Sequence, residues 1–363
     1  MRNAICLMAL TFVVGLANAA PAQSQPIGIA AQLFTVTDIG PNVYPVAINS
    51  LGQVAANGSC PMCGPNQQAL LWSASTGLID LGGSANDFIG GSAASGLNDL
   101  GEVAGISNSP FAPIPCCDAF IWSPTGEIRD LGTLPPSVGC SPERVVINDR
   151  DEVIGSSGPN TFPSNVICPD FLWESKFGMQ QIGLPSGALT AGVSGINSAG
   201  VVVGSYQASD FSGRSYVWTR LGGFRDLGIP QSQALGISNN GHVVGQLYSC
   251  PACSPSNNGH AFLWDPRHGA LDLGTLPGHT NSSAQAVNVR DEVVGYSALF
   301  VTGPYPFLWT KATGMLNLNL LIDTASGWQL IDATGINASG QITGWGIFKG
   351  ENHGFVLTPK DTF

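Results

Sequence analysis

The chain has 363 residues and a net charge of −11, with 44% of them hydrophobic and only 10% charged. That apolar fraction supports a large core and excludes disorder driven by low hydrophobicity, and the acidic balance leaves no basic stripe for a nucleic-acid partner. Glycine and proline contribute 47 and 25 residues, which argues against a mostly helical protein and for many short strands joined by turns.

At the N-terminus, Arg2, an apolar run from Ala4 to Leu16 and Ala17-Asn18-Ala19 read as a basic start, a hydrophobic segment and a cleavage site. Residues 1–19 are therefore expected to be a cleaved secretory signal, followed by a linker over residues 20–33. The run is shorter than the roughly 20 apolar residues that a membrane span needs, and no later segment qualifies. A secreted or periplasmic monomer with no transmembrane span is the expectation.

The rest of the chain repeats with a period near 49. An apolar residue followed by Asn or Ser recurs as Ile48-Asn49, Leu97-Asn98, Ile147-Asn148, Ile196-Asn197, Ile237-Ser238, Val287-Asn288 and Ile336-Asn337. Three residues after each comes Gly52, Gly101, Asp151, Gly200, Gly241, Asp291 or Gly340. Asn or Ser bonds its own turn and Gly or Asp accepts a left-handed backbone there, so each is a hairpin between two strands, a and b. A third apolar run, c, ends in Trp72, Trp122, Trp173, Trp218, Trp264 or Trp309, with Leu357 in the last unit. A fourth, d, carries Asp80-Leu81-Gly82 and its equivalents. Four short strands per unit predict the blades of an all-β propeller.

The ends decide the closure. The seventh unit stops after its c strand, while Phe34 to Gly40 forms a d strand with no unit of its own. Pairing the two closes the ring and removes its free edges, which predicts a single seven-bladed domain over residues 34–359 and a tail over 360–363. Small residues beside the apolar anchor, as in Ser95-Gly96-Leu97 and Thr334-Gly335-Ile336, place the a strand innermost, where neighbours crowd.

In such a ring the a-b and c-d turns lie on one face, and the b-c and d-a loops on the other. The a-b turns are tight and several b-c loops are long. Cys60, Cys63, Cys116, Cys117, Cys168, Cys250 and Cys253 fall in b-c loops and Cys140 in a d-a loop, so all eight share one face. For an exported protein they are disulfide candidates that pin long loops. The C-x-x-C spacings Cys60–Cys63 and Cys250–Cys253 also suit zinc or redox chemistry, but they stand 190 residues apart. Their pairing stays open.

Asn49, Asn98, Asn148, Asn197, Asn288 and Asn337 recur at one turn position in unit after unit, which marks them as structural turn residues rather than a ligand ring. Asp38, Asp80, Asp130, Asp226 and Asp272 repeat too, as single carboxylates far apart in the chain. Calcium loops concentrate their ligands in one segment, so hydrogen bonding between blades is expected of them instead. His260 and His353 occupy equivalent positions, which speaks for scaffold over catalysis. No nucleophile elbow, HExxH, phosphate loop or dinucleotide fingerprint appears, and neither a catalytic residue, a metal site nor a cofactor is expected.

His260-Ala261-Phe262-Leu263-Trp264, with Leu271-Asp272-Leu273-Gly274, Ala286-Val287-Asn288 and Val293-Val294-Gly295, resembles the HAF-repeat family of bacterial extracellular proteins. The resemblance runs from about Phe34 to Pro359, with Asp170, Ser215 and Pro306 where Ala is usual. It implies export and a repeat fold, and brings no established activity. The functional expectation is a binding or interaction module that takes a neutral extracellular ligand, a glycan or a peptide, on the b-c and d-a face. The alternatives are a hydrolase or lyase acting on polysaccharide at the same face, and a structural protein of the cell surface.

Overall fold

A computed structural model describes residues 33–58, 68–82, 91–108, 117–132, 134, 140–159, 168–248, 259–299 and 303–360. The expected signal, nearly all of the linker, most of the tail, and Cys60, Cys63, Cys116, Cys250 and Cys253 lie outside them.

The described residues form seven four-stranded antiparallel sheets, each ordered a-b-c-d, arranged as a seven-bladed β-propeller. Blade 1 comprises Val43–Ile48, Val54–Gly58, Gln68–Ser73 and Gly77–Asp80. Blade 7 has three C-terminal strands, Trp328–Ile336, Ile342–Phe348 and Glu351–Pro359, and takes the N-terminal strand Phe34–Pro41 as its fourth. The two ends pair in register, Phe34 opposite Pro359 and Asp38 opposite Phe355. Leu33 and Lys360 extend the closure, the Lys360 N–H donating to the Leu33 carbonyl at 2.8 Å.

Every blade is built on the same frame. The b-strand anchor opposes the c-strand tryptophan in six blades, as Val54 with Trp72 and Val103 with Trp122, and Ile342 opposes Leu357 in the seventh. All seven a-b turns carry a positive φ at the predicted position, between 60° at Asp151 and 84° at Gly241. A glycine further along b faces a c-strand ring: a Cβ on Gly155 would stand 2.3 Å from Phe171, and one on Gly105 would stand 2.7 Å from Phe120. Blade 1 has Ala56 opposite the smaller Leu70, so the methyl group added on one strand is offset by the ring removed from the other.

The core lies between blades. Leu71 and Leu81 of blade 1 pack with Val103, Phe120 and Trp122 of blade 2, and each buried ring or aliphatic side chain contributes about 1.5–3 kcal/mol. The a strands of neighbouring blades touch all round the ring, so they line the central channel. A Cβ on Gly96 would meet the Ile147 nitrogen of the next blade at 3.0 Å, which is the crowding that the small residues anticipate.

One blade departs from the frame. In the other six blades the a strand has a bulge three residues before the turn Asn or Ser, as at Val46 and Ser95. Blade 3 lacks that bulge and has one at Glu143, five residues before Asn148.

Candidate functional site

At the a-b end of the channel, the turn asparagines are buried and fully engaged. Asn49 Oδ1 accepts the N–H groups of Leu51 and Gln53, and its Nδ2 donates to Gln53 Oε1 at 2.7 Å. The same amide donates to the Asn98 carbonyl of the next blade at 3.1 Å. Asn98, Asn148 and Asn197 continue the chain of bonds, Asn288 reaches Asn337, and Asn337 returns to Asn49 at 2.9 Å. The only gap in this circuit among the described residues is at Ser238. There Asn240 donates to the Val289 carbonyl at 3.4 Å and His242 pairs with Asp291 at 2.6 Å.

This mouth holds a cavity of about 230 Å³ over an apolar collar that includes Ile48, Leu97, Ile147 and Ile336. Its rim is also internally bonded: the Ser50 N–H donates to Asp99 at 2.7 Å, Asp99 N–H to Asp149 at 2.8 Å, and Ser198 N–H to Asn239 at 2.9 Å. Polar groups occupied in this way hold the ring together and have little left for a ligand.

Among the described residues, the repeated aspartates do not bridge blades. Asp38, Asp80, Asp130, Asp226 and Asp272 each accept the N–H two residues on, from Gly40, Gly82, Gly132, Gly228 and Gly274. A short D-x-G turn satisfies the carboxylate before a neighbouring blade can. Two of them have a c-strand histidine as second partner, His353 meeting Asp38 and His260 meeting Asp272, both at 2.9 Å, while Asp226 accepts from the Tyr206 hydroxyl and pairs with Arg214. Ala69, Ala119 and Ala261, one residue beyond that histidine position, are fully buried. Asp170 replaces that alanine in blade 3. Burial pushes its carboxyl up to about 7 against a single bond from the Val193 N–H, and its Oδ2 and the neighbouring Tyr216 hydroxyl are both buried without a partner.

The other end of the channel is irregular. One level of the ring is defined by the residues opposite the third position after each b-strand anchor: Tyr44, Ala93, Arg144, Gly192, Gln233, Ser283 and Asp332. All differ. The b-strand partners at this level include Tyr296 and Trp345, and Tyr248 sits two residues beyond its own. Tyr44 packs edge-on against Trp345 at 5.8 Å and accepts a bond from Asn352 at 3.2 Å. Tyr248 donates to Gln233. Burial, and then the Tyr296 charge, push Tyr248 up to about 12, while burial and then Asp332 raise Tyr296. Burial also pushes Asp332 up to about 7, with one N–H bond from Ala333 opposing it, and its Oδ1 is enclosed without a partner. Blades 5, 6, 7 and 1 thus present an arc of aromatic rings, hydroxyls, an amide and a carboxyl.

Of the eight cysteines, Cys117 begins the c strand Cys117–Trp122 and Cys140 begins the a strand Cys140–Ile147. Cys168 lies just before the c strand Phe171–Glu174 and is half-buried. The arc itself was not anticipated in the sequence, because its a-strand members stand at one position of the repeat but differ in residue type from blade to blade.

No family model matches the sequence, and no curated protein matches it. Among solved structures, the orthorhombic crystal form of Pyrococcus horikoshii acylaminoacyl peptidase superposes with a TM-score of 0.54 at 10% identity, covering 85% of this chain and 52% of that one. TolB from Acinetobacter baumannii gives 0.46 at 9% identity over 77% and 63%. Aleuria aurantia lectin in complex with Fucα1-6GlcNAc gives 0.44 at 10% over 76% and 96%. This chain spans only about half of the peptidase, and the likeness is one of fold.

Proposed function

We propose that the protein is an exported HAF-repeat propeller that binds a glycan at the b-c and d-a end of its channel, with disulfides among its eight cysteines holding the loops of that face. The observation that carries this reading is the arc of Tyr44, Trp345, Asp332, Tyr296, Tyr248 and Gln233, in which half-buried rings alternate with hydroxyl, amide and carboxyl groups. Rings give an apolar sugar face something to cover, and the polar tips fix its hydroxyls. The a-b mouth fits the role less well because its polar groups are bonded to one another.

A glycan array, followed by incubation of the purified protein with polysaccharides, tests the reading: retention without products is expected. One feature favours a second reading as hydrolase or lyase. A carboxyl held up to about 7, as Asp332 is, suits a general acid, and new reducing ends or unsaturated sugars that vanish in Asp332→Asn would establish it.

A further inference from the structure

The displaced bulge of blade 3 changes which side chain reaches the channel level. In the six regular blades the residue at that level lies five positions before the turn Asn or Ser, as Tyr44 before Asn49 and Asp332 before Asn337. By that count blade 3 would present Glu143. With the bulge moved onto Glu143, Arg144 takes the place opposite Ser156 instead, so one irregularity reverses the charge there. Bulges are a common means of re-aiming a side chain at a functional site.

Arg144 has solvent access, yet surrounding protein desolvates it enough to lower its pKa. A side chain both crowded and accessible fits the wall of a narrow channel. The equivalent position in blade 4 points the same way, since a Cβ on Gly192 would meet no atom within 4 Å. Among the described residues, the Arg144 guanidinium has neither an ion pair nor a hydrogen bond; Arg129, Arg214, Arg220 and Arg290 have carboxylate partners, and Arg225, also without one, lies over the Trp264 ring. The fold does not require an arginine here, because the other blades manage with Ala, Gly, Ser or Gln. Counted round the ring, blade 3 is nearly opposite blade 7, which carries Asp332 and its unpartnered oxygen.

We infer that Arg144 is a specificity residue for a glycan bearing a carboxylate, a uronic acid unit held by its C6 carboxylate while the arc opposite takes the rest of the ring. This rests on the glycan reading above. A planar fork of N–H donors matches a carboxylate with two parallel bonds. Among the described residues, Arg144 is the one cation at this level of the ring, which suits one anionic unit and not a polyanionic strand.

Titration calorimetry with methyl β-D-glucuronide and methyl β-D-glucoside tests the inference, since the two sugars differ at the carboxylate. The native protein should prefer the glucuronide by about tenfold or more. Arg144→Gln should abolish the preference, Arg144→Lys should keep part of it, and Arg267→Gln, on an exposed c-d turn at the other face, should leave it intact. Circular dichroism confirms that each variant is folded. A native preference that survives in both Arg144 variants, or equal binding of the two sugars by the native protein, overturns the inference and leaves glycan binding standing. N-acetyl-Ala-Ala displacing the glucuronide at equal or lower concentration overturns it in favour of a peptide carboxylate. An array without any retained glycan removes the functional reading itself, and the inference with it.

Discussion

The two ends of the channel are built from the same strands, yet one is uniform and the other varied. At the a-b end seven turns share one backbone conformation, and asparagine amides link blade to blade through six of the seven seams. At the other end a single level holds Tyr, Ala, Arg, Gly, Gln, Ser and Asp. Removing a turn amide at the first end leaves buried donors or acceptors unpaired. At the second end the residue type changes from blade to blade at one level, so function has room where repetition is not enforced.

Removing the N-terminal strand Phe34–Pro41, which closes the ring that both ends share, should have the largest effect. It exposes Phe355 and Leu357 along a free edge and removes the buried Phe34 and Ile39. At about 1.5–3 kcal/mol for each lost hydrophobic side chain, with the ladder bonds added, the melting midpoint should fall by ~10 °C or more. A scanning calorimetry midpoint unchanged from the full chain would refute ring closure as the source of stability.

A finer test compares seams. Asn337→Ala removes bonds to the Asn49 carbonyl and Gln341 and an acceptor for Ser339 and Gln341, and should cost about 2–4 kcal/mol in urea unfolding. Ser238→Asn offers the missing amide to the Asn288 carbonyl and should gain up to about 1 kcal/mol. No gain in Ser238→Asn, together with a loss of only about 1 kcal/mol in Asn337→Ala, would mean that the circuit contributes nothing beyond the local turns.

A third test concerns pH. Because Asp170 titrates at about 7 when folded, against 3.8 ordinarily, the native chain holds a proton between those values that the unfolded chain has released. Its contribution is therefore full below about pH 4 and lost as pH rises through about 7. Asp170→Asn should stabilise the protein by up to ~4 kcal/mol near pH 8 and leave it unchanged near pH 4. Asp332, shifted in the same direction, keeps some slope in the variant. A gain of the same size at both pH values would show that packing, not ionisation, is the cause.

Seven blades and their closure were legible because each anchor is used in every unit: the Ile-Asn turn, the c-strand tryptophan and the two incomplete ends need only counting. The circuit of asparagine amides was not, since a side chain that caps its own turn gives no sign of the carbonyl 49 or 50 residues away. The D-x-G aspartates misled in the opposite direction, their regular recurrence suggesting links between blades when a local turn already satisfies them. Arg144 was hidden for a third reason. A bulge moved by two residues leaves every spacing in the sequence intact while it changes which side chain stands at the channel level, so counting back from Asn148 selects Glu143.

The hydrogen bond between Lys360 and Leu33 has a practical corollary. Because the first strand begins and the last strand ends beside the c-d turns, both termini of the folded body emerge on the surface remote from Arg144 and the aromatic arc. A tag, bead or fluorescent reporter fused at either end would orient the open mouth outward, and a short splice across that bond would allow the polypeptide to be re-cut at another turn without disturbing the wheel.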